Sequence, residues 1–175
     1  MSKSIILYKS KYGTTRKYAQ WLSEALGCDL NDIRKAQIGD LAQYDTIIIG
    51  GGVYAGSIAG ISFLHKHIKA LSGKNIIVFA VGVTGQDQDN IKNLKQRNLR
   101  DLNVPLFYLQ GALSINKLSF LDRTLCKIIQ RAIAKKALEN REPLEEALIQ
   151  AGDGFDKTDK AQLEPIISYI SNIDS

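Results

Sequence analysis

Cysteine, histidine and long apolar runs are scarce in this 175-residue chain, and each scarcity removes a class of protein. Its only cysteines, Cys28 and Cys126, lie far apart and fit neither a C-x-x-C pair nor a zinc spacing. A disulfide framework or structural metal is therefore not expected. The only histidines, His65 and His67, are two apart on a helical pattern and face different directions, so no metal pair is expected either. No apolar run approaches the roughly 20 residues of a membrane span, and Ile5 to Tyr8 is too short for the core of a secretory signal. A reducing cytoplasm is the expected location. Repeats, low-complexity tracts and domain linkers are missing, and no G-x-x-x-x-G-K-[ST] run is present to cradle a nucleoside triphosphate.

What is there is a regular alternation of strand and helix patterns. The length suits one domain, residues 1–175, burying roughly 70% of the surface its unfolded chain exposes. Ile5 to Tyr8 reads as a buried strand, and Tyr18, Leu22, Ala25 and Leu26 recur at helical spacing up to Gly27, a C-terminal stop. A weaker strand spans Asp29 to Ile33, with a turn around Ile38 and Leu41. Thr46-Ile47-Ile48-Ile49 is an unmistakable strand that breaks at three glycines. Helix is expected over 61–71, strand over 76–81, a thin apolar stripe (Ile91, Leu94, Leu99) over 86–101, and strand over 104–109. Pro105 suits a sheet edge. An acidic link around Glu142–Glu146 and a turn at 152–154 lead to a last helix carrying Leu163, Ile166, Ile167 and Ile170. Five near-continuous apolar strands separated by helices imply an α/β, doubly wound parallel sheet covered on both faces. Both common strand orders fit this pattern, and in either a ligand belongs at the C-terminal ends of the strands.

Hydroxyl- and glycine-rich turns fall at those ends. Ser10-Lys11-Tyr12-Gly13-Thr14-Thr15 joins the first strand to a helix, an arrangement that offers unpaired N–H groups and the positive end of the helix dipole to an anion. The same residues also serve as an ordinary helix cap. Further turns lie at 50–56, 82–85 and 111–112. Gly50-Gly51-Gly52-Val53-Tyr54-Ala55 matches the dinucleotide fingerprint G-x-G-x-x-A, but the required context is lacking. The next strand ends Val81-Gly82 with no carboxylate to hold a ribose.

The first turn resembles the flavodoxin family, whose corresponding loop follows S/T-x-T-G-x-T and holds the phosphate of FMN. Ser10, Gly13 and Thr15 match, and Tyr12 stands where the family has a hydroxyl residue. The resemblance implies a five-stranded sheet of order 2-1-3-4-5. It also implies FMN as cofactor, held by Ser10, Lys11, Tyr12, Gly13, Thr14 and Thr15, with the ring between Gly51, Gly52, Val53, Tyr54 and Val83, Thr84, Gly85. Tyr54 is the candidate to stack on the flavin. Electron carriers of this family place a second aromatic residue in the third loop, and this chain has none between Phe79 and Phe107. One ring face is thus expected to stay open to a flat substrate. No side chain stands out as a general acid or base.

Gly111-Ala112-Leu113 followed by Phe120-Leu121-Asp122-Arg123 and a long basic helix is similar to the menaquinone-dependent protoporphyrinogen IX dehydrogenases, as is Thr15-Arg16 opening the first helix. That resemblance implies oxidation of a flat organic substrate with electrons passing to a quinone-like acceptor. The alternative is an electron carrier between proteins. The formal charge is +5 and the pI near 9.1. The segment 117–141 holds seven Lys or Arg against Asp122 and Glu139, which accounts for that entire excess. A helix over 120–137 is expected, with Leu121, Leu125, Ile128, Ile129 and Ala132 on one face and Arg123, Lys127, Arg131 and Lys135 on the other. The basic row is either a solvated face or a surface for substrate carboxylates, acidic proteins or anionic lipid at the inner side of a membrane. Nothing suggests a nucleic-acid partner, and the oligomeric state is left open.

Overall fold

The computed structural model describes residues 3–100, 102–141, 145, 146, 149 and 154–173. Five parallel strands form its centre: β1 (Ser4–Lys9), β2 (Asp29–Asp32), β3 (Thr46–Tyr54), β5 (Asn75–Gly82) and β6 (Leu106–Gln110). Their order across the sheet is β2-β1-β3-β5-β6, which is the 2-1-3-4-5 arrangement. β6 is an edge strand and Pro105 immediately precedes it, so the missing N–H costs the sheet no ladder bond.

Successive side chains on a strand point to opposite faces, and here both faces are dry. Ile5, Leu7, Ile47, Ile49, Val78 and Ala80 meet Leu64, Leu71, Leu94 and Leu99 from α2 (Ile61–His67), the turn after it and α3 (Gln88–Leu99). Ile6, Ile48, Ile77, Phe79 and Leu109 face the other way. They meet Tyr18, Ala19 and Leu22 of α1 (Thr14–Leu26), and Ile166 and Ile170 of α5 (Glu164–Ile173). Gly27, at φ 61°, ends α1 in the left-handed region, which glycine enters without a Cβ penalty.

Sequence periodicity and structure differ in three places. The helix expected over 61–71 ends at His67, and a turn through Gly73 completes the connection. β3 continues past its glycines into a hairpin with a short antiparallel strand, β4 (Ser57–Ile58). A second hairpin, β7 (Ala112–Ser114) with β8 (Gly154–Asp156), extends beyond β6. Neither β4 nor β7 is long enough to show an alternating pattern. The basic helix, α4 (Phe120–Ala134), follows β7 and stops three residues before the expected Ala137. Of the acidic link, residues 142–144 lie outside the described residues, as do 152 and 153 of the turn before β8.

Candidate functional site

β1, β3, β5 and β6 all end on one side of the sheet, and the turns that follow them converge there. The first turn passes directly into α1. Gly13 precedes the helix at φ 96° with no side-chain cap, and its N–H donates to Ser10 Oγ at 3.1 Å. The amides of Thr14, Thr15 and Arg16 belong to the first helical turn and have no acceptor within it. Thr15 is buried, and a Cβ on Gly111 would come within 3.3 Å of the Thr14 methyl, so the fourth turn closes against the first.

Lys11 and Tyr12 engage a residue that sequence reasoning left unassigned. Lys11 Nζ donates to Asp122 Oδ2 at 2.5 Å, and the Tyr12 hydroxyl donates to the same oxygen. These bonds hold the Asp122 carboxyl at about 2, below its usual 3.8, and raise the Lys11 ammonium. The first turn of α4 is therefore tied to the first turn of the sheet edge.

The second turn is a hairpin. Val53 pairs with Ile58 and Tyr54 with Ser57. Ala55 and Gly56 both have positive φ (48° and 75°), the signature of a type I′ turn, whose twist matches that of the flanking strands. The Tyr54 ring folds back over Gly52, where a Cβ would lie 3.0 Å from it. Its edge meets Tyr12 with ring centroids 6.4 Å apart, so two aromatic rings stand side by side at the mouth. Burial pushes the Tyr54 hydroxyl above its ordinary value.

Asn98 pins this hairpin from below. It is buried, accepts from the Ile58 N–H at 2.8 Å, and donates to the carbonyls of Gly56 and Leu94, each at 2.9 Å. The available signal was a polar residue on the apolar stripe of α3, beside Leu99 and one turn after Leu94.

Below the third turn, Tyr108 of β6 carries its hydroxyl to Thr84, 2.6 Å from Oγ1 and donating to the carbonyl at 3.1 Å. Only a glycine fits at 82, since a Cβ there would sit 2.2 Å from that hydroxyl. Val83 and Thr84 are half-buried and Gly85 is exposed. Tyr108 is thereby held against the third turn, which contributes no aromatic side chain of its own.

Of the basic row, Lys127 and Arg131 are exposed, whereas Arg123 turns back along the helix. The Arg123 Nη2 donates to Asn116 O at 2.7 Å and to Leu118 O at 3.4 Å, so it braces the turn before α4 instead of facing outward. The helix also differs from its expected amphipathic packing. Ile133 is buried, while Leu121, Leu125 and Ile128 are exposed together with Phe120. Cys28 is pushed up to about 11 by burial and Cys126 is raised for the same reason, so both thiols stay protonated near neutrality. His65 Nε2 lies 2.7 Å from the Asn98 carbonyl, and His67 packs on the Phe63 ring. Among the described residues no helix is long and apolar enough to cross a membrane.

This edge geometry, with a hydroxyl-lined helix N-terminus and a glycine-rich hairpin beside it, agrees with the sequence comparison. The Flavodoxin domain family matches residues 5–139. The chain belongs to that family. Solved structures resemble this flavodoxin-domain protein at low identity. A candidate flavoprotein from Bacteroides eggerthii is 21% identical, with 78% of this chain and 100% of that chain covered at a TM-score of 0.50. Megasphaera elsdenii flavodoxin in its two-electron reduced form is 21% identical (60% and 82% covered, TM-score 0.47). A Lactobacillus acidophilus flavoprotein solved in complex with FMN is 18% identical (62% and 93% covered, TM-score 0.46). No protein of curated function matches this flavodoxin-domain chain.

Proposed function

We propose that this flavodoxin-domain protein is an FMN-dependent oxidoreductase that oxidises a flat organic substrate and passes the electrons to a quinone-like acceptor, as protoporphyrinogen dehydrogenases do. FMN is the cofactor that family membership supports. The residues present fit it. The Ser10, Thr14 and Thr15 hydroxyls and the free amides of Thr14, Thr15 and Arg16, which follow the Gly13 turn, form a donor set suited to a phosphate monoester at the helix N-terminus. Tyr54 and the turn 83–85 would flank the ring. Bound FMN supplies the two-electron chemistry, and the protein supplies placement and electrostatics.

The observation that carries the enzyme reading is a third turn with no aromatic residue of its own. Val83, Thr84 and Gly85 raise no aromatic side chain, and Tyr108 is held against them by Thr84. A flat substrate would have access on that side while Tyr54 guards the other. Family membership alone supports a second reading, a one-electron carrier between proteins.

Three measurements separate these readings. The visible spectrum of purified protein incubated with excess FMN should show perturbed flavin bands, and none would remove both redox readings. Anaerobic addition of protoporphyrinogen and a menaquinone analogue should produce porphyrin fluorescence above the autoxidation rate. No increase would overturn the dehydrogenase assignment. Rapid electron exchange with redox proteins in the absence of such turnover would select the carrier.

A further inference from the structure

Helix α4 leaves an apolar stripe facing solvent. Phe120, Leu121, Leu125 and Ile128 are 80%, 78%, 55% and 57% exposed, whereas Cys126, Ile129 and Ile133 turn toward the rest of the protein. Four of the six large apolar side chains exposed among the described residues lie on this one helix. At about 100° per residue, Leu121, Leu125, Ile128 and Ala132 share one narrow strip of its surface. Lys127 and Arg131 form a second exposed strip beside it, roughly 60° or more around the axis.

The exposed arc carries no negative charge. The helix's one acidic residue, Asp122, is turned away and occupied by Lys11 and Tyr12. Arg123 is likewise withdrawn to the carbonyls of Asn116 and Leu118. What faces outward is an apolar strip flanked by two cations, with Phe120 at one end.

We infer that the exposed face of α4 docks on an anionic lipid surface, with Leu121, Leu125 and Ile128 entering the headgroup boundary and Lys127 and Arg131 meeting the lipid charge. An interfacial helix of this kind needs an apolar strip and adjacent cations long enough to reach the headgroups while their stems lie over lipid. A second copy of this face fits less well, because its only acidic residue, Asp122, is already held by Lys11 and Tyr12, which would leave Lys127 and Arg131 without a counter-charge. An acidic protein could answer the cations, but the strip offers it no polar group for specificity. The Asp122 tie places the docked helix beside the first turn, so the candidate site would open close to the membrane. The docking does not depend on the cofactor reading.

Full-length protein is sedimented with vesicles of phosphatidylcholine, with or without about one part in three of phosphatidylglycerol. Binding is expected to the anionic vesicles, falling about ten-fold or more on neutral ones and on added salt. Leu121→Ser with Leu125→Ser, and separately Lys127→Glu with Arg131→Glu, should each reduce it by about ten-fold. These side chains are exposed, so unchanged circular dichroism and melting temperature serve as the folding control. A Phe120→Trp variant should shift its emission to the blue on anionic vesicles alone. Equal partitioning of variants and wild type, or an unmoved emission, would overturn the proposal. So would a concentration-dependent dimer that the Leu121→Ser, Leu125→Ser variant abolishes.

Discussion

Replacing Asn98 with alanine should unpin the hairpin that presents Tyr54, at a cost the structure allows to be worked out. The side chain is buried and makes three hydrogen bonds. Leu94 O keeps a helical partner when Asn98 is truncated, so two groups are orphaned, the Ile58 N–H and the Gly56 carbonyl. The first lies fully inside and should cost about 1–3 kcal/mol, the second is partly accessible and should cost about 1 kcal/mol, giving about 2–4 kcal/mol together. For a chain of this size that corresponds to a fall in melting temperature of roughly 5–15 °C. Asn98→Asp keeps the acceptor for Ile58 but sets a buried carboxylate against the Gly56 and Leu94 carbonyls, so near neutral pH it should cost at least as much as alanine. Thermal and urea unfolding give the stability, and FMN titration gives the effect on the hairpin. A melting shift below about 2 °C for Asn98→Ala would refute the claim that this residue holds the hairpin.

Other perturbations test the remaining parts of the site. Ser10→Ala combined with Thr15→Ala should weaken FMN binding by about ten-fold or more, since hydrogen bonds to charged groups are worth about 1.5–3 kcal/mol each. Unchanged affinity in a flavin titration would contradict the phosphate assignment. Ala55→Asn relieves a non-glycine residue at φ 48° in a turn that favours Asn-Gly, so it should raise stability by about 0.5–1 kcal/mol, read from the unfolding midpoint. Asp122 has its carboxyl depressed to about 2 from 3.8, so its tie to Lys11 and Tyr12 is complete above 3.8 and fades as pH falls toward 2. Protease sensitivity at the start of α4 should rise across that interval in wild type and be high throughout in Asp122→Asn. Equal profiles for the two would show that the tie does not hold the helix.

Much of the fold was legible in local pattern. The β-branched run Thr46–Ile49 and the apolar runs of β1 and β5 are buried on both faces, and such burial leaves a continuous signal instead of an alternating one. The strand order came from resemblance in the first turn, because periodicity constrains elements and says little about their neighbours. The short hairpins β3–β4 and β7–β8 were not legible, since two or three residues cannot display a period.

By itself the sequence determined the α/β layering, the parallel strands and the placing of glycine and hydroxyl turns at their ends. Those follow from backbone geometry and from the need to bury apolar runs, and both act over a few residues. Tertiary structure decided which polar side chains are used and which surfaces stay open. Asp122 meets Lys11 and Tyr12 across more than a hundred residues of chain, Asn98 meets Ile58 across forty, and Tyr108 meets Thr84 from an adjacent strand. None of these pairings is encoded in a local period. The same holds for α4. Its amphipathic pattern predicted a helix with an apolar face, and only the folded arrangement shows that part of this face stays exposed.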